Sequence, residues 1–173
     1  MQLRGSPQRD VHPHRLGVED GAPEFLTFSL GAEYGIDVQK IQEIRRYEEP
    51  TRIPGAAPWI SGVMHLRGTV VPVVDLRARL GMDAVAYGAS TVTIVVDIDG
   101  VSTGLVVDAV HDVSRIDRGD VQMSGQQLSH LRADHLAGIA TVRADDGQRT
   151  LALLDIDRLM PALPSPSQSV THC

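Results

Sequence analysis

The chain has 173 residues, of which 42% are hydrophobic, and a formal net charge of −6, so it can bury the core of one domain or of two small ones. Only two Phe, three Tyr and one Trp are present, and such a chain is poorly suited to bind nucleic acid, which requires basic and stacking groups. No apolar run approaches the roughly eighteen residues of a membrane span, and the single cysteine, Cys173, cannot form an internal disulfide. We therefore expect a cytoplasmic protein that does not insert into a membrane.

Both ends of the chain are predicted to be disordered tails. Residues 1–23 mix charged residues, His, Pro and Gly without periodicity, and residues 163–173 are rich in Pro and Ser. The first tail contains His12 and His14, but two histidines are too few to predict a metal site. We expect the folded domain to span residues 24–162.

Between the tails, apolar and polar residues alternate with the period of two that is typical of β-strands. Four pairs of such segments are separated by turns and predict four β-hairpins. Asp99-Gly100 is the clearest of these turns, because the backbone angles of a two-residue hairpin turn suit Asp and Gly. The predicted hairpins pair 25–30 with 34–38, 63–66 with 70–74, 92–98 with 103–107, and 139–142 with 150–154.

Helical signals are few and short. Residues 58–61 predict a single turn that Gly62 closes. Residues 124–136 carry leucines at nearly helical spacing, and residues 156–160 predict a brief C-terminal turn. Many strands with little helix predict an all-β fold.

The chain also contains an internal repeat. Residues 35–44 match residues 104–113 at a constant offset of 69, and residues 62–67 match residues 138–143 at an offset of 76. The two matches occur in the same order along the chain. The sequence therefore predicts a duplication of one small unit.

The repeat continues at Asp75 and Asp155, after four extra residues in the turn of the second copy. Each Asp ends a buried strand, and we expect it to cap the turn that follows rather than to act in acid-base catalysis. The two half-units are taken as roughly 24–86 and 87–162. Each is expected to form a small antiparallel barrel, because closure removes exposed sheet edges; whether strands are exchanged between them stays open.

No catalytic motif is found in the sequence. The chain has no glycine-rich phosphate loop, GxSxG elbow, HExxH or paired CxxC sequence. Asp97-x-Asp99-Gly100 lacks the remaining ligands of a calcium loop. We predict a protein that is not an enzyme and that has no metal and no cofactor.

Four stretches of the sequence resemble the CheW-type coupling proteins of bacterial chemotaxis. They are FSLGAEYGIDVQKIQEI at 28–44, TRIP at 51–54, GVMHLRGTVVPVVDL at 62–76 and GLVVD at 104–108. The resemblance covers roughly residues 24–160, and the LRG sequence followed by PVxDL is long and ordered enough to be specific. One departure is His65, where the family usually has Asn.

The resemblance implies two intertwined five-stranded antiparallel barrels of the OB or SH3 type, and an adaptor that links transmembrane chemoreceptors to a CheA-type histidine kinase. The implied partners are the cytoplasmic helical tip of the receptor, which would recruit the adaptor to the inner face of the membrane, and the regulatory domain of the kinase. By the same resemblance, Ile41, Glu43 and Arg67 are assigned to receptor and kinase contacts. We expect an apolar groove between the two barrels that contains Ile41 and receives the receptor tip, with Glu43 and Arg67 at its rim. A second surface, the apolar end of a barrel, is expected to pair with the kinase.

Other interpretations remain for the same residues. A glutamate near the end of a strand and an arginine in a hairpin turn are ordinary solvent-exposed residues when they are considered alone. The alternative function is a small-molecule or peptide-binding β-barrel without a signalling role. The sequence does not distinguish a flagellar pathway from a pilus pathway.

Overall fold

The structure is a computed structural model that describes residues 22–122, 135–145 and 147–160. The predicted C-terminal tail, residues 1–21 of the predicted N-terminal tail and residues 124–134 of the predicted helix lie outside these ranges. Leu136, the last residue of that predicted helix, begins a β-strand and is buried.

The described part of the chain is mostly β-structure, which confirms the predicted fold class. It contains two four-residue α-helices, and two single 3-10 turns at Val38–Lys40 and Arg118–Asp120. In chain order the elements are β1 (Glu24–Ser29), β2 (Glu33–Asp37), β3 (Ile41–Arg46), β4 (Ile60–Leu66), β5 (Thr69–Asp75), α1 (Leu76–Arg79), β6 (Val92–Ile98), β7 (Val101–Val107), β8 (Ala109–Arg115), β9 (Val121–Gln122), β10 (Leu136–Ala144), β11 (Gly147–Leu154) and α2 (Ile156–Leu159).

The segment predicted as a helical turn at 58–61 has a different structure. The Ile60 N–H donates to the Ala57 carbonyl at 2.9 Å, so Pro58 and Trp59 occupy the centre of a β-turn. Strand β4 begins directly at Ile60, and Gly62 lies inside this strand instead of ending a helix. Pro58 correctly predicted a turn, but the apolar residues that follow it belong to a strand.

The strands form two sheets. The first sheet has the order β8-β1-β2-β11-β10-β9 and is called the terminal sheet, because it contains the first and last strands of the chain. The second has the order β3-β6-β7-β5-β4 and is called the central sheet. All four predicted hairpins are formed. The sheets are not purely antiparallel, since β5 pairs with β7 and β11 pairs with β2 in parallel.

Each sheet combines strands from both copies of the repeat. The central sheet takes β3, β4 and β5 from the first copy and β6 and β7 from the second, and the terminal sheet takes β1 and β2 from the first copy. The two parallel pairs are equivalent positions of the repeat: Val73 faces Gly104, and Leu153 faces Gly35. The duplication seen in the sequence is therefore present in the strand register.

The two aspartates matched by the repeat both cap helices. The Asp75 carboxylate accepts a hydrogen bond from the Ala78 N–H at 3.2 Å, and the Asp155 carboxylate accepts one from the Arg158 N–H at 3.3 Å. Both geometries are N-caps of the short helices that follow β5 and β11. The observed contacts agree with the capping role expected from the sequence.

The largest hydrophobic core lies between the two sheets. It contains side chains of both sheets, including Phe28, Tyr34, Ile94, Leu105 and Leu154, and is called the shared core. A smaller cluster around Leu66, Val71 and Val95 belongs to the central sheet, and another around Ala140, Leu151 and Leu153 belongs to the terminal sheet. Strands such as β6 are consequently buried on both faces.

The chain segments that follow β3 and β8 close the sheets at equivalent points. Strands β3 and β4 are opposite edges of the central sheet, yet Thr51 and Val63 exchange two backbone hydrogen bonds of 2.8 Å. In the terminal sheet, Gln122 pairs with Ile139, which matches Val63 in the repeat. Each sheet is thus bridged edge to edge, as in a small barrel.

Gly62 allows this closure in the central sheet. Its φ angle is +153°, and a Cβ atom at this position would overlap the carbonyl oxygen of Thr51. The opposing backbone cannot withdraw without breaking the two hydrogen bonds between Thr51 and Val63. Only glycine fits this position.

We predict that Gly62→Ala lowers the free energy of unfolding by about 2–5 kcal/mol, because the added methyl group forces both backbone strain and overpacking. The measurement is urea denaturation followed by circular dichroism. Gly88→Ala is the matched control, since a Cβ atom there meets nothing within 4 Å. Equal stability of the two variants would contradict the assigned closure.

Candidate functional site

Closure of the central sheet brings two of the predicted site residues together. Glu43 lies in β3 and Arg67 lies in the turn between β4 and β5, so they come from opposite edges of the sheet. The Arg67 Nη2 atom is 2.5 Å from the Glu43 Oε1 atom. The sequence spacing of the two residues gives no indication of this contact.

A second arginine contacts the same carboxylate. Arg45, two residues further along β3, donates from Nη1 to Glu43 Oε2 at 3.1 Å. The hydrogen bonds from Arg45 and then from Arg67 hold the pKa of Glu43 below its ordinary value. The three side chains form an ionic cluster in which Glu43 is only 20% exposed, whereas Arg67 is 73% exposed and available to another molecule.

Arg67 occupies a backbone conformation that arginine rarely adopts. Its φ angle is +52° and that of Gly68 is +80°, as in a two-residue hairpin turn of the type that prefers Asn-Gly or Asp-Gly. The turn between β6 and β7 has nearly the same geometry with Asp99 at +51° and Gly100 at +82°. Arginine at this position costs about 1–2 kcal/mol of backbone energy, and such strain is common at functional positions.

Ile41, the third predicted site residue, lies elsewhere. A β-bulge between Ile41 and Glu43 changes the register of β3 against β6, so that Ile41 faces Val96 and Glu43 faces Val95. Ile41 is partly buried and packs against the shared core. It therefore contributes to the shared core and lies on the face of β3 opposite Glu43.

The same bulge places Ile44, which was not predicted as a site residue, on the side of the shared core. Ile44 faces Ile94, a residue of the shared core, so it lies on the same side of β3 as Ile41. Its side chain is 46% exposed, at the margin of the shared core. Strand β3 thus carries an exposed apolar residue on one face and the ionic cluster on the other.

The arrangement suits recognition of another protein rather than catalysis. The charged atoms of the cluster are paired with one another. The described residues contain no group of three or more His, Cys, Asp or Glu side chains that could hold a metal ion. Arg67 in the hairpin turn and Ile44 on the edge strand are both exposed, and arginine is enriched in protein interfaces.

Comparisons with known proteins identify the family. The family model of the CheW-like domain matches residues 24–163. The chain belongs to the CheW-like family. It is 38% identical over 147 residues to the chemotaxis protein CheW of Klebsiella aerogenes, a match that covers 84% of this chain and 86% of the relative. It is 31% identical over 144 residues to the chemotaxis protein CheW of Rhizobium meliloti, with 83% and 90% covered.

A solved structure supports the same assignment. The crystal structure of the scaffolding protein TtCheW from Thermoanaerobacter tengcongensis superposes on this CheW-like chain with a TM-score of 0.72 at 29% identity, covering 82% of this chain and 94% of that one. Membership of a family of chemotaxis scaffold proteins confirms that the protein is not an enzyme. None of the helices in the described part of the chain has the length and apolar composition needed to cross a bilayer.

The ionic cluster predicts a pH-dependent contribution to stability. Because the pKa of Glu43 is lower in the folded protein than its ordinary value of 4.5, this contribution is present above that value and is lost as the pH falls through the folded-state pKa. In urea denaturation, Glu43→Gln should be less stable than the unmodified protein at neutral pH and equally stable in acid. Glu48→Gln, which removes an exposed carboxylate without an ion pair among the described residues, is the control. A difference that is independent of pH would contradict the ion pairs.

Proposed function

We propose that this CheW-like protein is an adaptor that couples transmembrane chemoreceptors to a CheA-type histidine kinase. Its relatives are named as chemotaxis proteins, and its structural neighbour is named as a scaffolding protein. An adaptor must contact two partners at once, so it needs at least two separate surfaces. Binding to the receptor would hold this protein at the inner face of the membrane.

The observation that carries this proposal is the bulge in β3. It places Ile44 on the side of the shared core and the cluster of Glu43, Arg45 and Arg67 on the opposite face of the central sheet. A single edge strand therefore offers two chemically different surfaces. One is apolar and the other is charged, which allows two partners to be bound without competition.

We assign the surface around Ile44 to the helical tip of the receptor. A helix presents an apolar stripe of side chains, and an exposed β-branched residue at the margin of a core is a suitable anchor for such a stripe. Receptor states would be distinguished at this surface by modest differences in binding energy, on the order of 1–3 kcal/mol.

We assign the ionic cluster to the regulatory domain of the kinase. Arg67 is exposed and held at a fixed position by Glu43, so it can form an oriented contact with a carboxylate of the partner. Charged groups at the rim of an interface contribute mainly to orientation and association rate. This suits a contact between two folded domains, whose relative orientation must be set.

We predict that Ile44→Asp weakens binding of a receptor signalling fragment at least about tenfold, which corresponds to about 1.4 kcal/mol, because a carboxylate would have to be desolvated in an apolar contact. Val113→Asp is the matched control. Val113 is the repeat counterpart of Ile44, faces Leu26 at the edge of the terminal sheet and is 52% exposed. Isothermal titration calorimetry measures both variants. Equal loss of binding in the two variants would contradict the assignment of Ile44.

We predict that Arg67→Asn weakens binding of the kinase regulatory domain while the free energy of unfolding stays the same or rises by up to about 1 kcal/mol. Asparagine suits the backbone of this turn better than arginine, and the exposed ion pair that is lost contributes only about 0–1 kcal/mol. Asp99→Asn in the equivalent turn is the control and should affect neither property. Unchanged kinase binding by Arg67→Asn would remove Arg67 from the interface.

A further inference from the structure

A polar cleft lies in the terminal sheet, away from the surfaces assigned above. It has a volume of about 610 Å³ and is formed between the end of β8 and the hairpin of β10 and β11. Arg115 and Arg143 line it together with the neutral polar side chains of Ser114, Thr141 and Gln148. Its volume falls in the range of about 300–1,000 Å³ that is usual for ligand sites.

The internal repeat indicates the kind of ligand that the cleft accepts, because the central sheet holds a carboxylate at the equivalent arginine. Arg143 matches Arg67, and Asp112 matches Glu43. In the central sheet the Glu43 carboxylate lies between two arginines. In the terminal sheet the shorter Asp112 side chain instead accepts a hydrogen bond from the Thr27 hydroxyl at 2.6 Å.

In the described part of the chain, Arg143 has no carboxylate partner equivalent to Glu43. It forms no ion pair with any described residue, whereas Asp112 lies 3.9 Å from the Nη2 atom of Arg149. Arg143 is exposed and stands opposite Gln148 in the hairpin of β10 and β11, which is four residues longer than the one that carries Arg67. Within the described residues, the second copy of the repeat thus has the arginine but no carboxylate paired with it.

The local charge of the cleft favours an anion. Among the described residues that line it, Asp120 is the single carboxylate, against two arginines. Arg115 has a further contact with Glu24 at 3.8 Å, but both side chains are about half exposed, so this pair is weak. The chain as a whole has a charge of −6 and repels anions at long range, so an anion that binds must be held by this local arrangement.

We propose that the cleft binds an acidic peptide segment of a partner protein, with a carboxylate of that segment between Arg143 and Arg115. The carboxylate is held between two arginines, as Glu43 is in the central sheet, and the neutral polar side chains of the cleft bind the peptide around it. This contact uses neither Ile44 nor Arg67. It is a third surface, beyond the receptor and kinase contacts.

The test is a calorimetric titration of the full chain with a capped tetraglutamate peptide, with tetraglutamine as the neutral probe. Tetraglutamate should bind and tetraglutamine should not. Arg143→Gln should weaken the binding at least about tenfold, and Arg118→Gln should leave it unchanged, because Arg118 is exposed but does not line the cleft. Arg143→Gln should also retain receptor and kinase binding.

The proposal is overturned if tetraglutamate does not bind, or if Arg118→Gln weakens binding as much as Arg143→Gln, which would indicate diffuse electrostatic attraction only. A final variant tests whether the carboxylate comes from this chain. Glu19 and Asp20 precede Pro23 by four and three residues. The Pro23 carbonyl accepts a hydrogen bond from the N–H of Ile116, which lines the cleft. If tetraglutamate binds only to the Glu19→Gln/Asp20→Asn variant, the carboxylate comes from this chain, and a separate partner is excluded.

Discussion

Each copy of the repeat inserts one hairpin into the sheet of the other, and the rest of the structure depends on this exchange. Hairpin β6–β7 lies between β3 and β5, and hairpin β1–β2 lies between β8 and β11. The parallel contact between β2 and β11 is tight, since a Cβ atom on Gly35 would lie 3.0 Å from Leu153 Cδ2. Because neither copy completes a sheet alone, both must fold together around the shared core.

The chain crosses between the sheets at two junctions, and an ion pair fixes each of them. The helix supplies the cation at one junction and the anion at the other. Arg77 in α1 makes three hydrogen bonds of 2.6–3.1 Å to Asp108, between β7 and β8. At the equivalent place, Asp157 in α2 accepts a bond of 2.6 Å from Lys40, between β2 and β3. Arg77 is mostly buried, and the hydrogen bond to Asp108 raises its pKa, whereas Lys40 and Asp157 are exposed. Hydrogen bonds to charged groups contribute about 1.5–3 kcal/mol and exposed pairs about 0–1 kcal/mol, so the first junction is the stronger one.

Much of the fold follows from local patterns in the sequence. The four hairpins and the two capping aspartates depend on alternation, turn residues and a short cap, all of which act within a few residues. The side of β3 on which each residue lies could not be predicted, because a period of two does not locate a bulge, and a shift of one residue reverses the face. A strict period of two would place Ile41 on the face of Glu43, whereas the bulge places Ile41 and Ile44 together on the side of the shared core. The contact between Glu43 and Arg67 depends on closure of the sheet across 24 positions of sequence, which no local pattern encodes.

Backbone strain distinguishes the two arginines that the repeat matches, Arg67 and Arg143. The turns at Arg67-Gly68 and Asp99-Gly100 have almost the same angles, but only Asp is well tolerated there. Any gain from Arg67 in the folded domain alone is small, because its ion pair is exposed. The energetic cost of arginine in this turn is consistent with the contact proposed for Arg67. Arg143 bears no such cost, because the longer hairpin places it within a strand. The two copies thus share one backbone fold, but Arg67 lies in a strained turn and Arg143 lies in a regular strand. This difference suits the separate partners that are proposed for the two arginines.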